Sequence, residues 1–174
     1  MSYETCIEIP FLSRCRQSTE GIGILLGSCL LETITRSRRD SLIVALVGPL
    51  GAGKTVLTAA MAAALGVDRR SVASPTFVLE RNYVGNEPVR HFDLYRIDDP
   101  SELLQVGFEE ELDKRGVTVI EWAERSGDLL RGYERVEVRF EILAEESRRV
   151  VLRDYYQPSI IGRCFGVEDS NPPR

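Results

Sequence analysis

Leu42-Ile43-Val44-Ala45-Leu46-Val47-Gly48-Pro49-Leu50-Gly51-Ala52-Gly53-Lys54-Thr55 is the stretch on which the fold turns. Its first six residues are apolar on both alternating faces, which predicts a strand buried from both sides at the centre of a largely parallel sheet. The next eight, Gly48–Thr55, fit G-x-x-x-x-G-K-[ST] at every fixed position. The chemistry needs these residue types. Glycines let the backbone curl so that several N–H groups point at one phosphate chain. Lys54 extends a cation to the terminal phosphates, and Thr55 presents a hydroxyl to magnesium. Thr55–Leu65 is alanine-rich and ends at Gly66, which predicts a helix whose positive dipole end faces the same phosphates. The scarcity of lysine sharpens the match, because the 22 basic residues include only Lys54 and Lys114 as lysines. Strand, loop and helix together imply nucleotide binding. Alone they name no pathway.

Upstream, Cys6–Phe11 alternates and suits a first strand. Ser18–Glu20 opens an apolar helical stretch to about Thr33, with Ser18 or Thr19 as its cap. Gly21, Gly23 and Gly27 lower the intrinsic stability of that helix, so packing must hold it. Downstream, Phe77–Tyr83 and Val89–Tyr95 read as two strands joined by a turn at Gly85-Asn86. Asp99-Pro100-Ser101-Glu102 looks like a helix start, and Glu109–Lys114 gives another short helix ended by Gly116. Val117–Glu121 is a second apolar strand, and Arg135–Leu143 with Arg149–Leu152 predicts a closing hairpin. The expectation is one α/β domain, P-loop NTPase-like, over residues 1–153. Its sheet is mixed, with a parallel core and helices on both faces. From Asp154 the pattern dissolves, and 154–174 reads as a loosely ordered tail.

The bulk numbers exclude several classes. A chain of 174 residues with 43 % hydrophobic and 28 % charged residues is long enough for one well-buried core. Its purely apolar runs, Leu42–Val47 among them, are far too short to span a bilayer, and no signal peptide is visible at the N-terminus. A cytoplasmic location without a membrane partner is expected. The net charge of -5 argues against direct DNA or RNA binding, since neutralising phosphates supplies most of such affinity. The scattered Arg38–Arg39, Arg69–Arg70 and Arg148–Arg149 pairs read as solvated surface, so any RNA connection runs through a partner. Cys6, Cys15, Cys29 and Cys164 form no C-x-x-C pair and read as reduced, mostly buried thiols.

A phosphate loop needs a second group to orient magnesium, usually a carboxylate at the end of a neighbouring strand. Glu121 ends Val117–Ile120 and should emerge at the carboxyl edge of the sheet, where ligands sit in open α/β folds. Asp93 is the other candidate, because alternation puts His91, Asp93 and Tyr95 on one face of their strand. Thr76, in Ser74-Pro75-Thr76, offers a hydroxyl that could sense a terminal phosphate, as switch segments do. Trp122 is the only tryptophan and adjoins Glu121. His91 by itself reads as an ordinary core or surface histidine.

Taken together, Gly51-Ala52-Gly53-Lys54-Thr55, Ser74-Pro75-Thr76, His91-Phe92-Asp93-Leu94-Tyr95-Arg96, Gly107-Phe108 and Val119-Ile120-Glu121-Trp122 resemble one family closely. It is the TsaE (YjeE) ATPases of tRNA threonylcarbamoyladenosine biosynthesis, and the match runs from the first strand to about Leu152. The resemblance implies an accessory ATPase. It would dock at the interface of the TsaB–TsaD pair, which transfers a threonylcarbamoyl group to a tRNA adenosine, and its ATP cycle would reset that pair for further turnovers. It further implies ATP and Mg2+ as cofactors. Gly48, Leu50, Gly51, Ala52, Gly53, Lys54, Thr55 and Val56 would hold the nucleotide, with Trp122 beside it. Thr55 and Glu121 would bind magnesium, and Asp93 and Thr76 would sit near the terminal phosphate. The family commonly has Asp in place of Pro49 and a second Thr in place of Val56. Pro49 removes an N–H from the loop and Val56 a hydroxyl, which lowers the expected affinity or turnover.

The mechanism expected is in-line attack of water on the terminal phosphate, catalysed by positioning and charge neutralisation. Lys54, Asp93, Glu121 and Thr76 are its candidate residues. Two alternatives keep the loop but change its use. A small-molecule kinase would need an acceptor pocket and an arginine-bearing lid, for which Asp98–Gly107 is the available stretch. A nucleotide-gated adaptor would bind ATP and partners with little hydrolysis. No Asn-Lys-x-Asp segment is present to read guanine.

Overall fold

The structure, a computed structural model, describes residues 7–37 and 39–167. In chain order its elements are β1 (Ile7–Ser13), α1 (Arg16–Ser37), β2 (Ser41–Val47), α2 (Lys54–Ala64), β3 (Glu80–Tyr83), β4 (Val89–Asp93), α3 (Ser101–Gln105), α4 (Phe108–Leu112), β5 (Gly116–Glu121), β6 (Val136–Ile142), β7 (Arg148–Asp154) and α5 (Ile160–Phe165). The strands form one sheet in the order β1-β7-β6-β2-β5-β4-β3. β2 is central. It runs parallel to β5 and β6, and β4 runs parallel to β5. The edges are antiparallel, β3 on β4 at one side and the β6–β7 hairpin with β1 at the other.

Both faces of β2 are covered, as its unbroken apolar run requires. Leu42, Val44 and Leu46 join a core with Leu26 and Leu30 of α1, Leu57 and Met61 of α2, and Ile161 of α5. Ile43 and Ala45 face the opposite core, with Phe92, Leu103 of α3, Phe108 of α4 and Leu130. The mixed sheet with a parallel core and helices on both faces is therefore as expected. Among the described residues no helix is long and apolar enough to cross a membrane.

The glycines of α1 have a packing reason. A Cβ on Gly23 would stand 2.6 Å from the Leu57 carbonyl oxygen, and one on Gly27 2.5 Å from that of Met61. Only hydrogen at these two positions lets α1 lie backbone to backbone against α2. The propensity lost in α1 is thus offset by a close helix contact. That contact fixes α2, and with it the loop at its N-terminus.

Several local expectations need correction. α1 starts at Arg16, before Ser18 and Thr19. The Cys15 carbonyl accepts from the Ser18 and Thr19 amides, and the Thr19 hydroxyl meets Ser13 Oγ at 2.7 Å, so neither residue is the cap. The strand predicted from Phe77 begins only at Glu80, because the Pro75 carbonyl accepts from both the Val78 and Leu79 amides and curls Phe77–Leu79 into a turn. The strand predicted to Tyr95 stops at Asp93. Cys29 is buried, but Cys15 is half-buried and Cys164 exposed. Cys6 and Arg38 lie outside the described residues.

The largest correction concerns the tail. Far from loosening at Asp154, the chain stays packed through α5, while 168–174 fall outside the described residues. Asp154 is fully buried, and its carboxylate accepts from Ser159 Oγ at 2.6 Å, the Tyr156 amide at 2.8 Å and the Ile161 amide at 2.9 Å. Burial pushes its pKa up against the pull of these hydrogen bonds. Tyr156 is buried too, and its hydroxyl accepts from the Ile43 amide at 2.7 Å. The β2–β6 ladder begins only at Val44, so the tyrosine supplies an acceptor beside the strand that leads into the loop. Tyr156→Phe should therefore cost about 1–3 kcal/mol in urea unfolding, with the far-UV spectrum unchanged, because a buried N–H loses its acceptor. A variant as stable as the wild type would mean that the tail only rests against the sheet.

Candidate functional site

β2 delivers the chain to Gly48 at the carboxyl edge of the sheet, and α2 leaves from Gly53. All three of the loop's glycines have positive φ. Gly48 has φ 145°, and a Cβ there would lie 2.8 Å from both Cβ and the carbonyl oxygen of Phe140. Gly53 has φ 104° and sets the entry into α2. The Lys54 ammonium donates to the Gly48 carbonyl at 2.6 Å and to the Pro49 carbonyl at 2.9 Å. It also stands 3.7 Å from the centroid of the Trp122 ring. Burial lowers the lysine's pKa, and the charges of Glu121, Glu124 and Asp93 oppose that shift.

Opposite the loop stand the ends of β4 and β5, where Asp93 and Glu121 are register partners. Both carboxylates are buried, at 3 % and 2 % exposure, so both need donors. Glu121 Oε2 accepts from Thr55 Oγ1 at 2.9 Å. Its Oε1 meets His91 Nε2 at 2.9 Å and, more weakly, Thr58 Oγ1 at 3.4 Å. Asp93 Oδ2 accepts from the Ser74 and Thr76 hydroxyls, and its Oδ1 from the Tyr95 amide at 2.9 Å. Asp93 thereby anchors the Ser74–Thr76 segment to the sheet.

These groups line a cleft of about 460 Å³ whose walls include Leu50–Val56, Ser74, Thr76, Asp93, Tyr95, Glu121 and Trp122. Every residue proposed from sequence lies along it except Gly48, which acts through its backbone just behind. Leu50 is 73 % exposed at the rim. Trp122 has φ 57°, a conformation that costs a non-glycine residue on the order of 1–3 kcal/mol. That turn carries its ring off the strand end, over Lys54 and within 5.0 Å of the Tyr95 ring. Pro49 keeps a role despite its missing N–H, because its carbonyl accepts from both Lys54 and the Ala52 amide.

Sequence reasoning under-read three residues. His91 has no solvent exposure and bonds the carboxylate at the centre of the site. Thr58 comes one turn after Thr55 on α2, a spacing that could have suggested a second hydroxyl on the same face. Ser74 grips Asp93 alongside Thr76.

The chemistry of this donor set can be tested against the groups it would hold. Hydroxyl and carboxylate oxygens from Thr55 and Glu121 suit a hard divalent cation such as Mg2+. Among the described residues no cluster of three or more His, Cys, Asp or Glu could cage a metal, and magnesium that shares its coordination with phosphates and water needs none. The glycine loop and Lys54 suit the phosphates themselves. The donor set fits a magnesium nucleotide.

The sequence and the fold also match known proteins. The family model described as threonylcarbamoyl adenosine biosynthesis protein TsaE matches residues 17–151. A Treponema pallidum protein named tRNA threonylcarbamoyladenosine biosynthesis protein TsaE is 33 % identical over 141 residues, 81 % of this chain and 97 % of its own. A Rickettsia felis protein of the same name is 36 % identical over 120 residues, covering 68 % of this chain and 69 % of that one. A Bacillus subtilis protein so named is 36 % identical over 109 residues, 62 % of this chain and 66 % of that one. The crystal structure titled as Bacillus subtilis YdiB superposes with a TM-score of 0.71 at 19 % identity, over 94 % of this chain and 97 % of that one, which shows a shared fold.

If Asp93 anchors the Ser74–Thr76 segment, Asp93→Ala should free it. The Val78 and Leu79 amides, both bonded to the Pro75 carbonyl, should then exchange hydrogen at least about tenfold faster, while those of β2 do not change. Unchanged exchange at Val78 and Leu79 would show that the segment is held by something else.

Proposed function

The chain belongs to the TsaE family, and on that premise we propose that it is a magnesium-dependent ATPase assisting tRNA threonylcarbamoyladenosine biosynthesis, resetting the TsaB–TsaD pair between turnovers. tRNA would be met only through that complex, in the cytoplasm. The observation that carries the reading is the convergence of Lys54 and Thr55 at the start of α2 on Glu121 at the end of β5, with Asp93 in the same cleft.

The residues divide the work by their chemistry. Loop N–H groups and the N-terminus of α2 would bind the phosphates, and Lys54 would exchange its two carbonyl partners for phosphate oxygens. Thr55 and Glu121 would hold Mg2+, whose chemistry there is neutralising charge on the phosphoryl oxygens. Asp93 accepts the Ser74 and Thr76 hydroxyl protons, so it fixes where those hydroxyl oxygens face the terminal phosphate and the attacking water. Catalysis would be positioning and electrostatics, with no covalent intermediate.

The kinase alternative needs Asp98–Gly107 to act as a mobile lid. That stretch carries no arginine, and within it Leu103 is fully buried. This favours hydrolysis over transfer to a small acceptor.

Trp122 is the chain's only tryptophan, and its contact with Lys54 provides a direct readout. Titration with ATP and Mg2+ should change tryptophan emission as Lys54 moves to phosphate. Lys54→Ala should weaken binding at least about a hundredfold with the fold intact, a loss in keeping with a charge-assisted contact worth several kcal/mol. Wild-type affinity in that variant would remove the site assignment. Hydrolysis, slow in the isolated chain, should rise when TsaB and TsaD are added and fall with Glu121→Ala. No stimulation and no co-elution with the pair would leave the chain without the proposed place in the pathway.

A further inference from the structure

We propose that His91 is a positioning residue of the nucleotide site, holding the Glu121 carboxylate in the orientation that receives magnesium. The inference rests on the nucleotide-binding reading above and assigns a role to a side chain which that reading leaves unused.

Strand alternation aims His91 and Asp93 from the same face of β4, and β5 brings Glu121 beside them. The ring is fully buried, and its Nε2 lies 2.9 Å from Glu121 Oε1. A carboxylate only accepts, so Nε2 carries the proton and donates. The other ring nitrogen, Nδ1, is buried and has no hydrogen-bond partner among the described residues. A histidine retained merely to fill space would be disfavoured here, since an apolar side chain of similar size would leave no nitrogen unpaired. What offsets the orphan nitrogen is the bond made by Nε2.

The choice of donor matters for a cation site. An arginine or lysine on Glu121 would orient it but would also neutralise the charge that attracts magnesium. A single imidazole N–H fixes one oxygen and leaves the other open to the cleft. The division of the carboxylate is then legible. Oε1 is held from β4 by His91, while Oε2 points to α2 and Thr55, the residue whose hydroxyl would share the metal. Outer donors of this kind are what keep ligating carboxylates in place, and their loss typically costs ten- to a hundred-fold in metal affinity.

The test uses the whole 174-residue chain and mant-ADP fluorescence, titrated with Mg2+ and repeated in EDTA. His91→Leu removes the donor and keeps an apolar filler, whereas His91→Gln restores an N–H near the position of Nε2. In His91→Leu the half-saturating Mg2+ concentration should rise about tenfold. Its affinity for mant-ADP in EDTA should hold, while its thermal midpoint should fall, because a buried carboxylate loses a donor. His91→Gln should recover most of the magnesium response. Wild-type magnesium dependence in His91→Leu would overturn the proposal, as would an equal loss with and without Mg2+ or a failure of His91→Gln to restore it. A wild-type chain that binds no mant-ADP would overturn the nucleotide reading itself, and that result is seen before any substitution is made.

Discussion

A buried carboxylate must be given hydrogen-bond donors or it will not stay ionised, and the architecture around the cleft follows from meeting that demand twice. Glu121 draws donors from α2 and β4; Asp93 draws them from the segment before β3 and from the chain beyond β4. Glu121 thus ties α2 to the paired strands β4 and β5, and Asp93 ties Ser74–Thr76 to the end of β4. The donors are hydroxyls, an imidazole and a backbone amide. All of these can be neutral, so the negative potential of the cleft is not quenched by the groups that hold it. Lys54 is the cation set against it, and its burial is tolerated because those same charges oppose the fall in its pKa.

The loop can face these carboxylates only if α2 starts in the right place, and glycine decides that at a distance. Gly23 and Gly27 let α1 press against the α2 backbone, and Gly48 lets the chain pass Phe140 of β6. Side chains at any of these points would force the packing that sets the start of α2 to shift. A site that depends on hydroxyl-to-carboxylate bonds near 2.9 Å cannot absorb such a shift. Residues remote from the cleft therefore set its geometry as firmly as those lining it.

What could be read from sequence follows from how local each signal is. The Gly48–Thr55 loop, the strand before it and the helix after it are contiguous, so periodicity and residue type suffice. Glu121 was legible for the same reason, as the polar end of an apolar strand. His91 was not. Alternation placed it on the face shared with Asp93, but its meaning depends on a carboxylate thirty residues later in an adjacent strand. Ser18 and Thr19 looked like caps because the Cys15 carbonyl that takes their amides carries no side-chain signal. Tyr156 and Asp154 sit in a polar, proline-bearing stretch that reads as loose. Their order comes from the tertiary bond of Tyr156 to Ile43 and from the local bonds of Asp154 to the Ser159–Ile161 turn. His91 and Tyr156 were missed because their partners are distant in sequence, and Ser18, Thr19 and Asp154 because their bonds are made in short local turns that no periodicity signals.

Nucleotide binding on the proposed reading is an exchange of partners more than a gain of new ones. Lys54 would give up two loop carbonyls and the face of Trp122 to reach phosphate. Thr55 would give up Glu121 to reach the metal, and Glu121 Oε2 would trade a hydroxyl for the same ion. Only the difference between old and new partners appears as affinity, so a complete phosphate loop does not by itself imply tight binding. His91 is the member whose bond survives the exchange, because Oε1 is not the oxygen turned to Thr55. The fixed side of Glu121 faces the sheet and the exchangeable side faces the cleft. A change in occupancy would then be felt mainly along α2 and the Lys54–Trp122–Tyr95 stack, whose rim residues Leu50 and Tyr95 are exposed where another protein could touch them.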